Sequence, residues 1–341
     1  MANKMKVLIN IRPNEILERR IRNKVKGVDF VFTAESAVGY TRGHGERWGD
    51  PPRDTAEMLG EIRDTDVLFG YLTREMFKVA DKLRWVQAPI SGLENFMFPE
   101  LARSDVIITD SSGVYGEEIA SHTFALFLAF SRDLPKLLRS QEQGIWEKHG
   151  NIKTVPLLSK TLGIVGLGGV GQEVAKAGVA FGMRVVATRA HPEKGKPPFV
   201  DKVWGPEGLN KLLRESDFVV VCTPQTAKTE KLIKTRELKL MKKTAFLVNV
   251  GRGKVVDLEN ITEALQKGDI AGAGLDVFEQ EPLPKGHMLW SMKNVIITPH
   301  CASIGLLPLY WERRVSLFIE NLKRYIEGKD LANIVDKQIW C

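Results

Sequence analysis

The sequence predicts an α/β protein of two doubly wound parallel-sheet domains. The 341 residues exceed what a single hydrophobic core usually organises. Short apolar runs alternate with amphipathic stretches, the pattern of strands joined by crossover helices. The runs fall into two sets, five and then six, separated by a long apolar helical stretch. Five runs fit a smaller flavodoxin-like sheet, and six fit a Rossmann dinucleotide-binding sheet.

The first set is KVLINI (6–11), DFVFTA (29–34), DVLFGY (66–71), LRWVQAP (83–89) and VIITDSS (106–112). Aliphatic and aromatic residues fill these runs, as strands buried on both faces require. Segment 40–56 is rich in Gly, Pro and charge and reads as a loop. A helix is expected over about 116–145, its apolar residues crowded into IASHTFALFLAF, as packing between two domains would require. His122 within it reads as a core or interface histidine. The second set is LGIVGLG (162–168), RVVATR (184–189), FVVVCTP (218–224), AFLVNV (245–250), AGLDVF (273–278) and NVIITP (294–299), with 190–208 read as a loop. The last helix, about 308–327, has no strand left to serve in the second sheet. It is expected to cross back to the first domain, which the tail LANIVDKQIWC completes. The substrate domain is therefore set at 1–113 with 306–341, and the dinucleotide-binding domain at 114–305.

Apolar residues make up 43% and charged residues 27%, a globular balance. The net charge of +7 is spread without a long basic run, which reads as a solvated surface rather than a nucleic-acid site, and no nucleic-acid partner is expected. The longest apolar run, FALFLAF (124–130), is far short of the ~18 residues of a membrane span. The opening MANKMKVLIN has no signal-peptide core. Cys222, Cys301 and Cys341 have neither metal nor disulfide spacing, which fits a reducing compartment. A cytoplasmic enzyme without a metal or a membrane partner is expected.

LGIVGLGGVGQEV places Gly166, Gly168 and Gly171 in the pattern G-x-G-x-x-G, directly after an apolar run and before a helix-compatible stretch. Ordinary strand–helix turns also carry such glycines, but the strand–turn–helix–strand setting favours a dinucleotide. Gly166 permits the tight turn, Gly168 lets the backbone approach a pyrophosphate, and Gly171 lets helix pack on strand. The helix N-terminus then offers N–H groups and partial positive charge to the phosphates. Further on, VVATRAHPEK has Thr188 and Arg189 where an NAD site usually has Asp or Glu. A carboxylate there would repel a 2′-phosphate, whereas an arginine fork pairs with it. NADP is expected in preference to NAD, which a permissive site would still accept.

Downstream, polar residues close three apolar runs: Arg252 in NVGRG, Asp276 and Glu281 in LDVFEQEP, and His300 in ITPHCAS. Ligands of open α/β sheets bind beyond the C-terminal strand ends, so all three stretches point to one crevice. Histidine is the natural acid or base near neutral pH, a carboxylate can orient it and favour its protonated form, and an arginine fork meets both oxygens of a 2-oxo carboxylate.

At these residues the sequence resembles the D-isomer-specific 2-hydroxyacid dehydrogenases, over nearly its whole length. The resemblance is carried by LGIVGLGGVGQ, VNVGRGKVVD, LDVFEQEPLP, LWSMKNVIITPH and ENLKRYIEGKDLANIVDK. It implies that Arg252, Glu281 and His300 are catalytic, the glutamate being the one before Pro282 rather than Glu279. It also implies cofactor contacts at Gly169, Val170, Cys222, Thr223, Pro224, Val250, Gly251, Asp276, Ala302 and Ser303. PISGLEN (89–95) becomes the substrate loop, with the Ile90, Ser91 and Gly92 amides joining Arg252 and His300 around a small 2-keto or 2-hydroxy acid. A homodimer through the long helix is implied too. Gly169 departs from the bulkier residue many members carry, and Cys301 from a commonly apolar one. The Thr188–Arg189 pair looks like the glyoxylate/hydroxypyruvate reductase branch, whose members often use NADPH.

The implied reaction delivers hydride to the 2-carbon of a 2-keto acid while His300, paired with Glu281, protonates the developing alkoxide. A cleft between the domains would close on the substrate. The alternatives are a 3-phosphoglycerate dehydrogenase and, in another class, a dinucleotide-sensing corepressor-like scaffold; the complete trio argues for an enzyme. Loops around 40–56, 71–75 and 280–312 would build the substrate pocket, with Trp48, Trp146, Trp290, Tyr310 and Trp311 as candidate lining.

Overall fold

The computed structural model describes residues 4–11, 14–33, 55–303 and 307–340. Trp48, Cys341 and the expected loop at 40–56, except its last two residues, lie outside these. The strands are β1 (Met5–Ile9), β2 (Val28–Phe32), β3 (Val67–Phe69), β4 (Trp85–Gln87), β5 (Ile107–Thr109), β6 (Thr161–Val165), β7 (Arg184–Thr188), β8 (Lys202–Trp204), β9 (Phe218–Val221), β10 (Phe246–Asn249), β11 (Gly272–Leu275) and β12 (Val295–Ile297). The helices are α1 (Glu15–Lys24), α2 (Ala56–Glu61), α3 (Arg74–Val79), α4 (Pro99–Ala102), α5 (Gly116–Ser131), α6 (Leu134–Glu142), α7 (Gly169–Ala180), α8 (Leu209–Glu215), α9 (Thr235–Leu238), α10 (Leu258–Lys267) and α11 (Leu307–Ile326). The chain divides into two compact units, Met1–Val114 with Leu306–Cys341, and Tyr115–Gly305.

The first unit carries a five-stranded parallel sheet in the order β2-β1-β3-β4-β5, the flavodoxin-like arrangement. Its helices start where short polar side chains stand ready to cap them. Asn14 accepts from Leu17 N at α1, Thr55 from Met58 N at α2, and Thr73 from Met76 N at α3. Helix α11 packs Val315, Phe318, Ile319 and Leu322 into this unit's core. Phe318 stacks on Phe69 with ring centroids 4.3 Å apart. The tail then runs beside the edge strand β5, Val335 N donating to Ile108 O at 2.9 Å.

The second unit holds a seven-stranded parallel sheet in the order β12-β11-β10-β9-β6-β7-β8, a Rossmann arrangement with one strand more than the six expected. The addition is β8, from within the stretch read as a loop. It pairs with β7 over only three residues, from Val186↔Lys202 to Thr188↔Trp204. A three-residue edge strand needs no continuous apolar run, so periodicity does not announce it.

The long helix read over about 116–145 is two helices, α5 and α6. The break falls at Asp133, at φ 57°, just before Pro135, which has no N–H to continue a helix. Helix α5 buries Ala120, Phe124, Leu126, Phe127 and Phe130 inside its own unit. Phe127 meets Phe218 edge-on at 5.2 Å, and Phe130 stacks on Phe246 at 5.0 Å. Each such ring contributes about 1.5–3 kcal/mol by leaving water. The apolarity of α5 is thus satisfied within the chain. Among the described residues no helix is long and apolar enough to cross a membrane.

Candidate active site

All seven strands of the second sheet run parallel, so their C-terminal ends share one edge. The glycine turn lies there between β6 and α7. Gly166 sits at φ 105°, and Gly166 N and Leu167 N both donate to Thr188 O, at 3.1 and 2.9 Å, which ties the turn to the end of β7. A Cβ on Gly171 would lie 2.3 Å from Gly166 O, so only glycine lets α7 start this close to the strand. A Cβ on Gly168 would meet nothing within 4 Å. Gly168 is the N-cap of α7, whose first turn has no side-chain cap and whose first N–H groups have no intrahelical acceptor. The donor set and the open cradle fit the pyrophosphate of a dinucleotide.

Cys222, Thr223 and Pro224 follow β9, and Val250 and Gly251 follow β10, along the same edge. The Cys222 thiol donates to Gly166 O at 3.1 Å, and burial pushes it up to about 12. It is therefore a neutral thiol that packs the turn. At the end of β7, Thr188 is buried and Arg189 is half-buried. The Arg189 guanidinium donates to Gly195 O at 3.1 Å, so the following loop orders it. Of this pair, Arg189 presents the more accessible polar group.

Arg252 follows β10 in a turn clamped by the buried Asn249, which accepts from Gly251 N and donates to Arg252 O, both at 3.1 Å. Arg252 Nη1 donates to Gly251 O at 2.8 Å. Glu281 Oε1 accepts from Phe278 N at 3.0 Å, while Oε2 lies 2.7 Å from His300 Nδ1. Burial acts to raise the Glu281 carboxyl, but the hydrogen bonds from His300 and Phe278 and the nearby charge of Arg252 outweigh it and hold the group below its usual value of 4.5. Glu281 is therefore ionised at neutral pH. Glu279 is turned to another task, accepting from Leu258 N at 2.9 Å. With Nδ1 committed to Glu281, the Nε2 face of His300 remains for a substrate, and the side chain is 34% exposed.

Asp276 is buried beneath this loop. Its carboxylate accepts from Cys301 N and Ala302 N, at 2.9 and 3.0 Å, and from the Thr298 hydroxyl at 2.5 Å. Ser303 continues the same loop. Thr298 was absent from the residues singled out by sequence; His122, read there as a core or interface histidine, places its Nε2 3.0 Å from Thr298 Oγ1. The available signal was one polar ring breaking the apolar run IASHTFALFLAF. His122, Asp276 and Cys301 also offer N, O and S atoms within 4.8 Å of one another, though the Asp276 oxygens are already engaged by amides and a hydroxyl.

Ile90, Ser91 and Gly92 belong to the first unit, just after β4. Ile90 O accepts from Ser111 N at 3.0 Å, while no described residue accepts from the three N–H groups of 90–92. Of the aromatic residues suggested as pocket lining, Tyr310 is 1% exposed and belongs to a core. Trp311 packs on the first unit's core, Trp290 donates to Pro284 O at 3.0 Å, and Trp146 is 94% exposed.

Comparison with known proteins gives the family. Residues 124–302 match the family described as "D-isomer specific 2-hydroxyacid dehydrogenase, NAD binding domain". The chain is 36% identical over 309 residues to glyoxylate reductase of Aeropyrum pernix, covering 86% of this chain and 89% of that protein. It is 36% identical over 306 residues to glyoxylate reductase of Pyrococcus horikoshii, covering 86% and 90%. Among solved structures, a D-isomer specific 2-hydroxyacid dehydrogenase from Xanthobacter autotrophicus Py2, in complex with NADPH and MES, superposes with a TM-score of 0.77 at 26% identity, covering 98% of this chain and 99% of that one. With a family match across the dinucleotide-binding unit and relatives aligned along most of the chain, the protein belongs to the D-isomer specific 2-hydroxyacid dehydrogenases and is an NAD(P)-dependent oxidoreductase.

Proposed function

We propose that the chain reduces small 2-keto acids of the glyoxylate and hydroxypyruvate kind to D-2-hydroxy acids, with NADPH preferred and His300 as the proton donor. The observation that carries this is the 2.7 Å pairing of His300 Nδ1 with an ionised Glu281. That bond orients the ring and leaves Nε2 to donate to the alkoxide oxygen as it forms. Arg252 holds and polarises the substrate, and the unspent amides of Ile90, Ser91 and Gly92 are the first unit's candidate anion donors. A nicotinamide dinucleotide, when bound, supplies the hydride. Gly166, Gly168, Gly169, Val170 and Gly171 hold its pyrophosphate, and the strand ends at Cys222–Pro224, Val250–Gly251 and Asp276, with Ala302 and Ser303, flank it. Arg189 pairs with the 2′-phosphate, while Thr188 contributes through its carbonyl to the turn.

The substrate class is supported by the glyoxylate reductases of similar sequence, and the cofactor by the NADPH in the related Xanthobacter structure. In this reading Met1–Val114 with Leu306–Cys341 is the substrate domain and Tyr115–Gly305 the dinucleotide domain. The chain acts in the cytoplasm as a homodimer. Because α5 buries its apolar side chains in its own unit, a dimer through the 116–145 stretch would use the exposed Leu134, Leu138, Ile145 and Trp146. The deciding test is His300→Ala. It is expected to lower kcat with glyoxylate and NADPH roughly 10²–10⁴-fold while NADPH binding survives. Undiminished turnover would overturn the reading.

A further inference from the structure

We propose that His122 is a positioning residue that holds the His300 loop in place through Thr298 and Asp276. The importance of that loop rests on the reading of His300 as proton donor. His300 stands at φ 52°, a left-handed conformation that a non-glycine residue keeps only where its surroundings enforce it. Asp276 is the enforcing residue. Its backbone carbonyl accepts from His300 N at 2.8 Å, and its two carboxylate oxygens accept from Cys301 N and Ala302 N. Three successive amides of the loop thus hang on one aspartate. Asp276 is 1% exposed, so its carboxylate depends on protein donors to remain where it is.

The orientation of that carboxylate traces back to His122. The Thr298 hydroxyl donates to Asp276 Oδ1 at 2.5 Å. A hydroxyl has one proton, and with that proton committed the Thr298 oxygen can only accept from the imidazole nitrogen 3.0 Å away. His122 Nε2 must therefore carry a proton. The same N–H lies 3.5 Å from Asp276 Oδ1, so it also leans on the carboxylate directly. With Nε2–H in place the Thr298 hydroxyl cannot turn away from Asp276, and Oδ1 and Oδ2 stay aligned with the loop amides. The ring is delivered by α5, which is anchored in its own core by Phe124 and Phe127. An apolar side chain of equal size would fill the space and supply none of this.

Three measurements test the proposal. In the wild-type protein, nitrogen-15 NMR of the His122 ring is expected to show a proton on Nε2; a ring protonated on Nδ1 alone overturns the proposal whatever the variants do. His122→Phe, which keeps the bulk and loses the donor, is expected to lower kcat about ten- to a hundredfold with little change in the KM for glyoxylate. His122→Gln, whose amide places N–H groups near the same point, is expected to recover most of that loss. In hydrogen exchange, the Cys301 and Ala302 amides are expected to exchange faster in His122→Phe and at the wild-type rate in His122→Gln. A fully active His122→Phe, or a glutamine variant as impaired as the phenylalanine one, would refute the role. If His300→Ala proves fully active, the proton-donor reading falls; the NMR and exchange results still decide whether His122 holds the loop.

Discussion

Gly168 separates the energetics of folding from those of cofactor binding. Its backbone, at φ −91° and ψ −158°, is open to any L-residue, and an added Cβ touches nothing within 4 Å. In Gly168→Ala the weaker N-cap costs about 0.5–1 kcal/mol, and the stiffer unfolded chain returns about 0.4–1 kcal/mol. The melting midpoint of the ligand-free protein should therefore move by less than about 3 °C. On the proposed binding mode, the new methyl instead fills the space through which the backbone would approach the pyrophosphate. Loss of one charge-assisted hydrogen bond, about 1.5–3 kcal/mol, weakens NADPH binding roughly ten- to a hundredfold. Gly171→Ala is the contrasting variant. Its Cβ would lie 2.3 Å from Gly166 O and 3.1 Å from Ile164 Cγ2, and a backbone oxygen cannot swing aside. Overpacking of this kind costs about 1–3 kcal/mol, so this variant should melt several degrees lower even without cofactor. Thermal melts of the ligand-free proteins and calorimetric titration with NADPH read both quantities. The reasoning fails if Gly168→Ala binds NADPH as tightly as wild type, or melts as low as Gly171→Ala.

On the proposed pairing of Arg189 with the 2′-phosphate, Arg189→Asp removes that attraction and adds a repulsion. The wild-type preference for NADPH in kcat/KM, expected at roughly ten- to a hundredfold after solvent screening, should collapse or invert; a wild type that already favours NADH would refute the assignment. Burial pushes the Asp110 carboxyl from 3.8 up to about 6 in the fold, against the bonds from Ser112. The folded state then holds the proton longer than the unfolded chain, so this group's contribution to stability falls as pH rises through that window. Asp110→Asn should accordingly melt higher than wild type at pH 7 and match it at pH 3; equal melting at both would contradict the burial. Light scattering at micromolar concentration should give twice the chain mass, and Trp146→Glu should shift it toward the monomer. A monomeric wild type would remove the dimer.

Every described strand except β8 was legible, because a strand inside a parallel sheet is apolar along most of its length, a property each run carries locally. The glycine turn was legible for a similar reason: spacing within six residues states the backbone requirement. Arg252, Glu281 and His300 stood out as polar residues closing apolar runs. The family resemblance already named Glu281 over Glu279 as the partner of His300; tertiary structure decided through which atoms the two meet. Glu281, not Glu279, reaches His300 because Glu279 is spent on Leu258 N. The edge strand β8 forms because β7 offers it a partner, not because three residues insist on it. The apolar face of α5 turned out to lie against Phe218 and Phe246 of its own sheet, where sequence suggested a second copy. The link from His122 to Thr298 spans 176 residues of chain. Such a contact leaves no periodic trace, since it depends on where a helix and a distant strand end are brought by the packing of everything between them.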